Sequence, residues 1–132
     1  MVVYFYSRSG RSEAIARDIG KSMKIEVRKI RDNENWKGPI NFLKAGAAAS
    51  KKQTTRIDCE PPEEDTTVIL VFPVWAGTFP PAVRSFIKTY NRLEIIAVPT
   101  SLGTALRERD YFVKIIDLIG KDIVAPLNGQ IL

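Results

Sequence analysis

Val2-Val3-Tyr4-Phe5-Tyr6, running into Ser7-Arg8-Ser9-Gly10-Arg11-Ser12, is the stretch on which the fold turns. The first five residues are β-branched or aromatic and read as a buried strand. A short hydroxyl-rich loop with one glycine follows. It leads into a helical pattern with Ile15, Ile19 and Met23 on one face. A strand that breaks into such a loop and opens a helix makes an anion site. The first amides of a helix have no internal partner, and the helix dipole favours negative charge there. Ser7, Ser9 and Ser12 can add hydroxyl donors, Gly10 admits close backbone approach, and Arg8 and Arg11 add positive charge. The plainer alternative is an N-cap cluster in which Ser9 or Ser12 satisfies the orphan amides and nothing is bound. From the loop alone the two readings stand side by side.

Composition narrows the chemistry. A chain of 132 residues, 45% hydrophobic and 27% charged, is expected to form one domain, residues 1–132, around one core. No apolar run is long enough to span a bilayer, and no signal-peptide layout is visible, so no membrane association is expected. The lone Cys59 forms no internal disulfide and points to a reducing, cytoplasmic setting. It has neither the cationic surroundings of an activated thiolate nor the arginine of a phosphatase Cys-x5-Arg loop, Asp65 standing at that position. Cys59 is therefore read as inert. There is no histidine, which removes Ser–His hydrolysis and histidine-ligated zinc. Any chemistry here is expected to be carried by a cofactor. The formal net charge is +5, but Arg28, Lys29, Arg31, Lys51, Lys52, Arg56, Arg107 and Arg109 are scattered rather than striped. They read as a solvated surface, and no nucleic-acid partner is expected.

Along the chain, strands and helices alternate. A strand at Val2 to Tyr6 leads to a helix at Arg11 to Met23, then Ile25 to Ile30 reads as an edge strand. Pro39 starts a small-residue helix to about Lys52, and 53–67 reads as a polar surface loop. Val68 to Phe72 is a fully apolar central strand, and Pro80-Pro81 opens a helix with Val83, Phe86, Ile87 and Tyr90 at core spacing. Glu94 to Val98 is another buried strand. The spacing of Phe112, Ile115, Ile116 and Ile119 predicts a helix from Ala105 to Ile119, and Asp122 to Ala125 a last strand. This order predicts a doubly wound α/β sheet with ligands at the carboxyl ends of its strands. Trp36 is assigned to core packing.

A second motif, Phe72-Pro73-Val74-Trp75-Ala76-Gly77-Thr78-Phe79-Pro80-Pro81, combines with the first loop. Together they resemble the flavodoxin-like family of FMN-binding proteins. In that family the first loop wraps the FMN phosphate and an apolar third strand ends in Pro-Val-Trp-x-Gly-Thr. The resemblance implies a five-stranded parallel sheet in the order 2-1-3-4-5. It implies phosphate binding by Ser7, Arg8, Ser9, Gly10, Arg11 and Ser12. It also implies contact with the isoalloxazine by Pro73, Val74, Trp75, Ala76, Gly77 and Thr78, and by Ser101 and Gly103 in Thr100-Ser101-Leu102-Gly103-Thr104. Arg8 and Arg11 depart from the usual phosphate loop, Ala76 stands where many relatives carry a second aromatic, and the family's final helix is expected to be absent.

The function these features imply is that of an FMN-binding redox protein, an electron carrier or a small flavin-dependent reductase, with a protein or small-molecule redox partner. No residue is assigned as a catalytic acid or base. The basic balance, with Arg8 and Arg11 at the loop, implies a less negative second reduction step than in an acidic flavodoxin. The alternative is a flavodoxin-fold interaction or assembly module that no longer binds flavin. With no final helix, part of the central sheet is expected to face water and to be covered by a second copy in a homodimer. Folding back of the tail through Leu127, Ile131 and Leu132 is the competing arrangement.

Overall fold

The structure is a computed structural model that describes residues 1–33 and 38–132, without the side chains of residues 39 and 42. Trp36 lies outside the described residues. The sheet is built on three strands, β1 (Val2–Phe5), β5 (Val68–Pro73) and β6 (Ile95–Ser101), running parallel in the spatial order β1-β5-β6. Their apolar side chains alternate strictly between two faces. Val2, Tyr4, Val68, Leu70, Phe72, Ile95 and Ala97 point to one core cluster, and Val3, Phe5, Ile69, Val71, Ile96 and Val98 to the other. A strand buried on both faces has no use for polar residues in its interior, hence the continuous apolar runs. Helix α3 (Pro81–Thr89) covers the first face through Ala82, Val83 and Phe86, and α1 (Arg11–Met23) covers the second through Ile15, Ala16 and Ile19.

Strand β2 (Val27–Lys29) extends the sheet beyond β1, with Val3 opposite Val27. Residues 53–67, expected as a polar loop, contain β4 (Ile57–Asp58), which pairs antiparallel with β3 (Arg31–Asp32). Helix α2 (Pro39–Ser50) forms as expected, with proline in its first turn. No helix among the described residues is long and apolar enough to cross a membrane.

Two expectations near the end of the chain are corrected. Residues 105–119 form no helix. They supply β7 (Lys114–Ile115) and β8 (Leu118–Ile119), both parallel to β6, so this segment takes the fifth position of the 2-1-3-4-5 order. The predicted strand at Asp122 to Ala125 does not form. The physical reason is the outer edge of β6. Its carbonyls at Ile95, Ala97 and Ser101 accept amides from Val113, Ile116 and Gly120 at 2.9–3.0 Å. Leaving them buried and unpaired costs more than a helix rich in β-branched Val113, Ile115, Ile116 and Ile119 returns. The apolar spacing that mimicked a helix sends Phe112 and Ile115 to one face and Ile116 and Leu118 to the other.

The tail, expected to be too broken for a helix, forms one turn, α4 (Asn128–Ile131). Ile131 is 2% exposed and closes the α1-side cluster together with Ile123 and Ala125. Ser22 donates to the Asn128 side chain at 3.0 Å, and Lys114 caps the carbonyls of Gln130 and Ile131 at 3.1 and 3.2 Å. Of the three residues expected to fold back, Ile131 does so, while Leu127 and Leu132 are 74% and 76% exposed.

Arg28 corrects the reading of the basic residues as a solvated surface. It is 9% exposed and its guanidinium meets the carboxylates of Glu26, Glu60 (3.3 Å) and Glu63 (2.7 Å), the Tyr4 hydroxyl (2.9 Å) and the Pro61 carbonyl (3.2 Å). Hydrogen bonds to Glu26 and Glu63 raise its pKa further. Truncating Ile131 to alanine is expected to cost about 2 kcal/mol of unfolding free energy, read from urea denaturation. A loss under about 0.5 kcal/mol would mean that the last turn frays rather than seals the core.

Candidate functional site

The carboxyl ends of β1, β5 and β6 open into a cleft of about 710 Å³. Three segments wall it: 7–12, 73–77 and 100–104. Of the predicted site residues, Ser7, Arg8, Ser9, Arg11, Ser12, Pro73, Val74, Trp75, Ala76, Gly77, Ser101 and Gly103 line this one space. Gly10 and Thr78 do not. Thr100, Leu102, Thr104 and Arg107 line it as well and were not assigned from the sequence. Leu102 and Thr104 are neighbours of residues that were. Arg107 was hidden inside the expected helix.

The first wall begins at α1. Gly10, at φ 94° and ψ −7°, takes the N-cap position in the left-handed region, where glycine pays no Cβ penalty. Among the described residues no side-chain cap bond is made at this N-cap, so neither Ser9 nor Ser12 takes that role. The Ser7 hydroxyl instead accepts the Gly10 amide at 2.9 Å and shapes the loop. Ser12 is buried, its hydroxyl 2.9 Å from that of Thr100, and joins the α1 start to β6. The Arg11 guanidinium donates to the Gly120 carbonyl, tying the loop to the end of β8.

The second wall is a two-residue reverse turn. Trp75 and Thr78 exchange both backbone hydrogen bonds at 3.0 Å, and Ala76 and Gly77 sit at φ 51° and 78°. Positive φ at both central positions defines a type I′ turn. Gly77 suits it, while Ala76 stores strain. The Trp75 ring meets Tyr6 edge to face at 5.8 Å between centroids. A smaller cavity of about 270 Å³ is lined by Arg8, by Val74, Trp75 and Ala76, and by Ala45 and Gly46 of α2. The third wall is self-bonded: the Ser101 hydroxyl accepts the Thr104 amide at 3.0 Å and donates to its carbonyl at 2.6 Å.

Thr78 turns away from the cleft into a buried ion pair. Arg84, 5% exposed, donates to Glu108 at 2.6 Å and to the Thr78 hydroxyl at 3.0 Å, lies 5.0 Å from the Phe79 ring centroid, and Thr78 itself donates to Glu108. The Arg84 hydrogen bond holds the Glu108 carboxyl at about 2, below its ordinary 4.5, with Thr78 adding to the effect. The pair braces the turn from behind. Cys59 is half-buried, and burial pushes its thiol pKa up, in keeping with an inert side chain.

No protein-family model matches this chain, and no curated protein does. Solved structures do. A flavoprotein from Lactobacillus acidophilus NCFM, crystallised in complex with FMN, superposes with a TM-score of 0.66 at 14% identity over 89% of this chain and 90% of that one. A candidate flavoprotein from Bacteroides uniformis ATCC 8492 gives 0.71 at 15% identity over 92% and 90%. One from Bacteroides eggerthii DSM 20697 gives 0.61 at 17% over 78% and 71%. The chain therefore has the flavodoxin-like fold.

Glu108→Gln removes the negative partner of a buried guanidinium and is expected to destabilise the protein by about 3 kcal/mol. Because the folded carboxyl titrates at about 2 against 4.5 for the free group, the pair contributes fully above pH 4.5. Its contribution fades as pH falls from there toward 2. Denaturation midpoints across that window should fall in the parent and stay flatter in the variant. Parallel curves would assign the acid sensitivity elsewhere.

Proposed function

We propose that the cleft binds FMN and that the protein is a flavin-dependent redox protein. The observation that carries this reading is the uncapped, glycine-led start of α1 at the end of β1. Its first residues, Arg11 and Ser12, line the cleft that Trp75 also lines. Free helix amides and their dipole suit a phosphate group. The volume falls in the range of cofactor-sized sites. That a structure of like fold was crystallised with FMN agrees with the reading.

In this reading Ser7, Ser9, Arg8 and the first amides of α1 hold the phosphate, with Ser12 and Thr100 positioning that wall. Trp75 and the backbone of Pro73 to Gly77 flank the ring, with Ser101 and Gly103 across from them. Arg11 contributes charge while its guanidinium anchors Gly120. Bound FMN supplies the electron chemistry, and the chain binds, orients and tunes it. A cytoplasmic setting and a protein or small-molecule electron partner belong to the same proposal. A homodimer, if formed, rests on a smaller surface than a bare sheet, the exposed Val124, Leu127 and Leu132 of the tail.

FMN fluorescence should be quenched on titration with the unmodified protein. Ser9→Asp should weaken binding at least about tenfold by setting a carboxylate against the phosphate, and it leaves the helix intact because an acidic residue suits that end. Absence of binding by the unmodified protein would overturn the proposal and favour an interaction module of the same fold.

A further inference from the structure

Arg107 is held against the turn at residues 75–78 by its own backbone and by both of its neighbours. Its amide donates to the Gly77 carbonyl at 2.9 Å, and its guanidinium donates to the Ala76 carbonyl. The contact is close: a β-carbon on Gly77 would lie 2.5 Å from Nε and 2.7 Å from Nη2. Leu106 before it is buried, and Glu108 after it is locked to Arg84 and Thr78. The side chain is exposed and lines the cleft, yet its base is fixed at every step. Among the cleft-lining cations, Arg8 and Arg11 belong to the segment that leads into α1, whereas Arg107 bonds the turn through both its amide and its guanidinium. Guanidinium stays charged at every working pH and keeps further donors after serving one carbonyl.

We propose that Arg107 is a positioning residue that sets the redox poise of the cleft. It clamps the turn and places a permanent positive charge at the turn wall of the site. This rests on the FMN reading above. FMN that takes up two electrons and one proton carries one more negative charge on its ring than before. A cation fixed at the turn wall therefore favours the reduced over the oxidised form.

The test compares FMN-loaded parent, Arg107→Gln and Arg107→Lys in a dithionite redox titration, with oxidised-FMN affinity and thermal unfolding measured alongside. Gln removes the charge and retains a donor, while Lys retains the charge and loses the fork. Gln is expected to lower the preference for reduced flavin about tenfold, which makes this two-electron couple about 30 mV more negative. Lys is expected to recover most of that shift, and oxidised-FMN affinity should change less than about threefold in both. As the side chain is exposed, both variants should unfold at nearly the parent temperature. Equal potentials in parent and Gln would overturn the proposal while leaving FMN binding intact. A shift in unfolding or in oxidised-FMN affinity without a shift in potential would reduce Arg107 to a structural clamp. Failure of the parent to bind FMN at all would overturn both readings, and the affinity measurement separates that case from the others.

Discussion

Burial of β1, β5 and β6 on both faces is the constraint from which the rest of this molecule follows. Every side chain of β1, and all of β5 up to Pro73, is withdrawn from water. Such strands bond to neighbouring strands and carry mostly apolar residues, so polar chemistry is displaced toward where they end. The three carboxyl ends lie side by side because the pairing is parallel and in register, Tyr4 with Leu70 and Leu70 with Ala97. A cleft at that edge is thus a by-product of the way the core is sealed.

Two arginines show how charge is used behind that edge. Arg28 gathers the loop carboxylates of Glu60 and Glu63 onto β2, and Arg84 gathers Glu108 and Thr78 onto α3. Both are largely withdrawn from water, and both join segments remote in sequence. Removing one member of such a set strands the others, so these pairs act as latches more than as net sources of stability. The Arg84 set has a bare edge of its own, since among the described residues Arg84 Nε is the buried side-chain polar atom with no partner.

The central sheet, α1, α2 and α3 were legible because period and punctuation agreed there. The apolar runs were unbroken, and prolines or glycines stood at the expected starts. The two strand-end motifs stood out for the same reason, and most of the candidate site residues read from them line one space. The segment from Ala105 to Ile119 was misread because its apolar residues fit a helical stripe. What decides their conformation is the hydrogen-bonding demand of β6, a partner far away in sequence. Arg107 was missed as a consequence. Arg28 and Arg84 carry no local sign of burial, as their acidic partners come from other elements. The short pairing of β3 with β4 left no trace in a polar stretch, because two-residue strands carry no period.

The contacts that shape the cleft are among the most distant in the chain. Ser12 meets Thr100, Arg11 meets Gly120, and β1 waits for Val68 to Val71 before its second edge is filled. Contacts of this kind carry the largest loop-closure cost and contribute least to early folding. A newly made chain can lay down α1 and β2 against β1 while residues beyond 100 are still missing, but it has no third wall. The ligand-sized space therefore waits for chain far from its first wall, and a chain cut short before residue 100 has no completed cleft to fill.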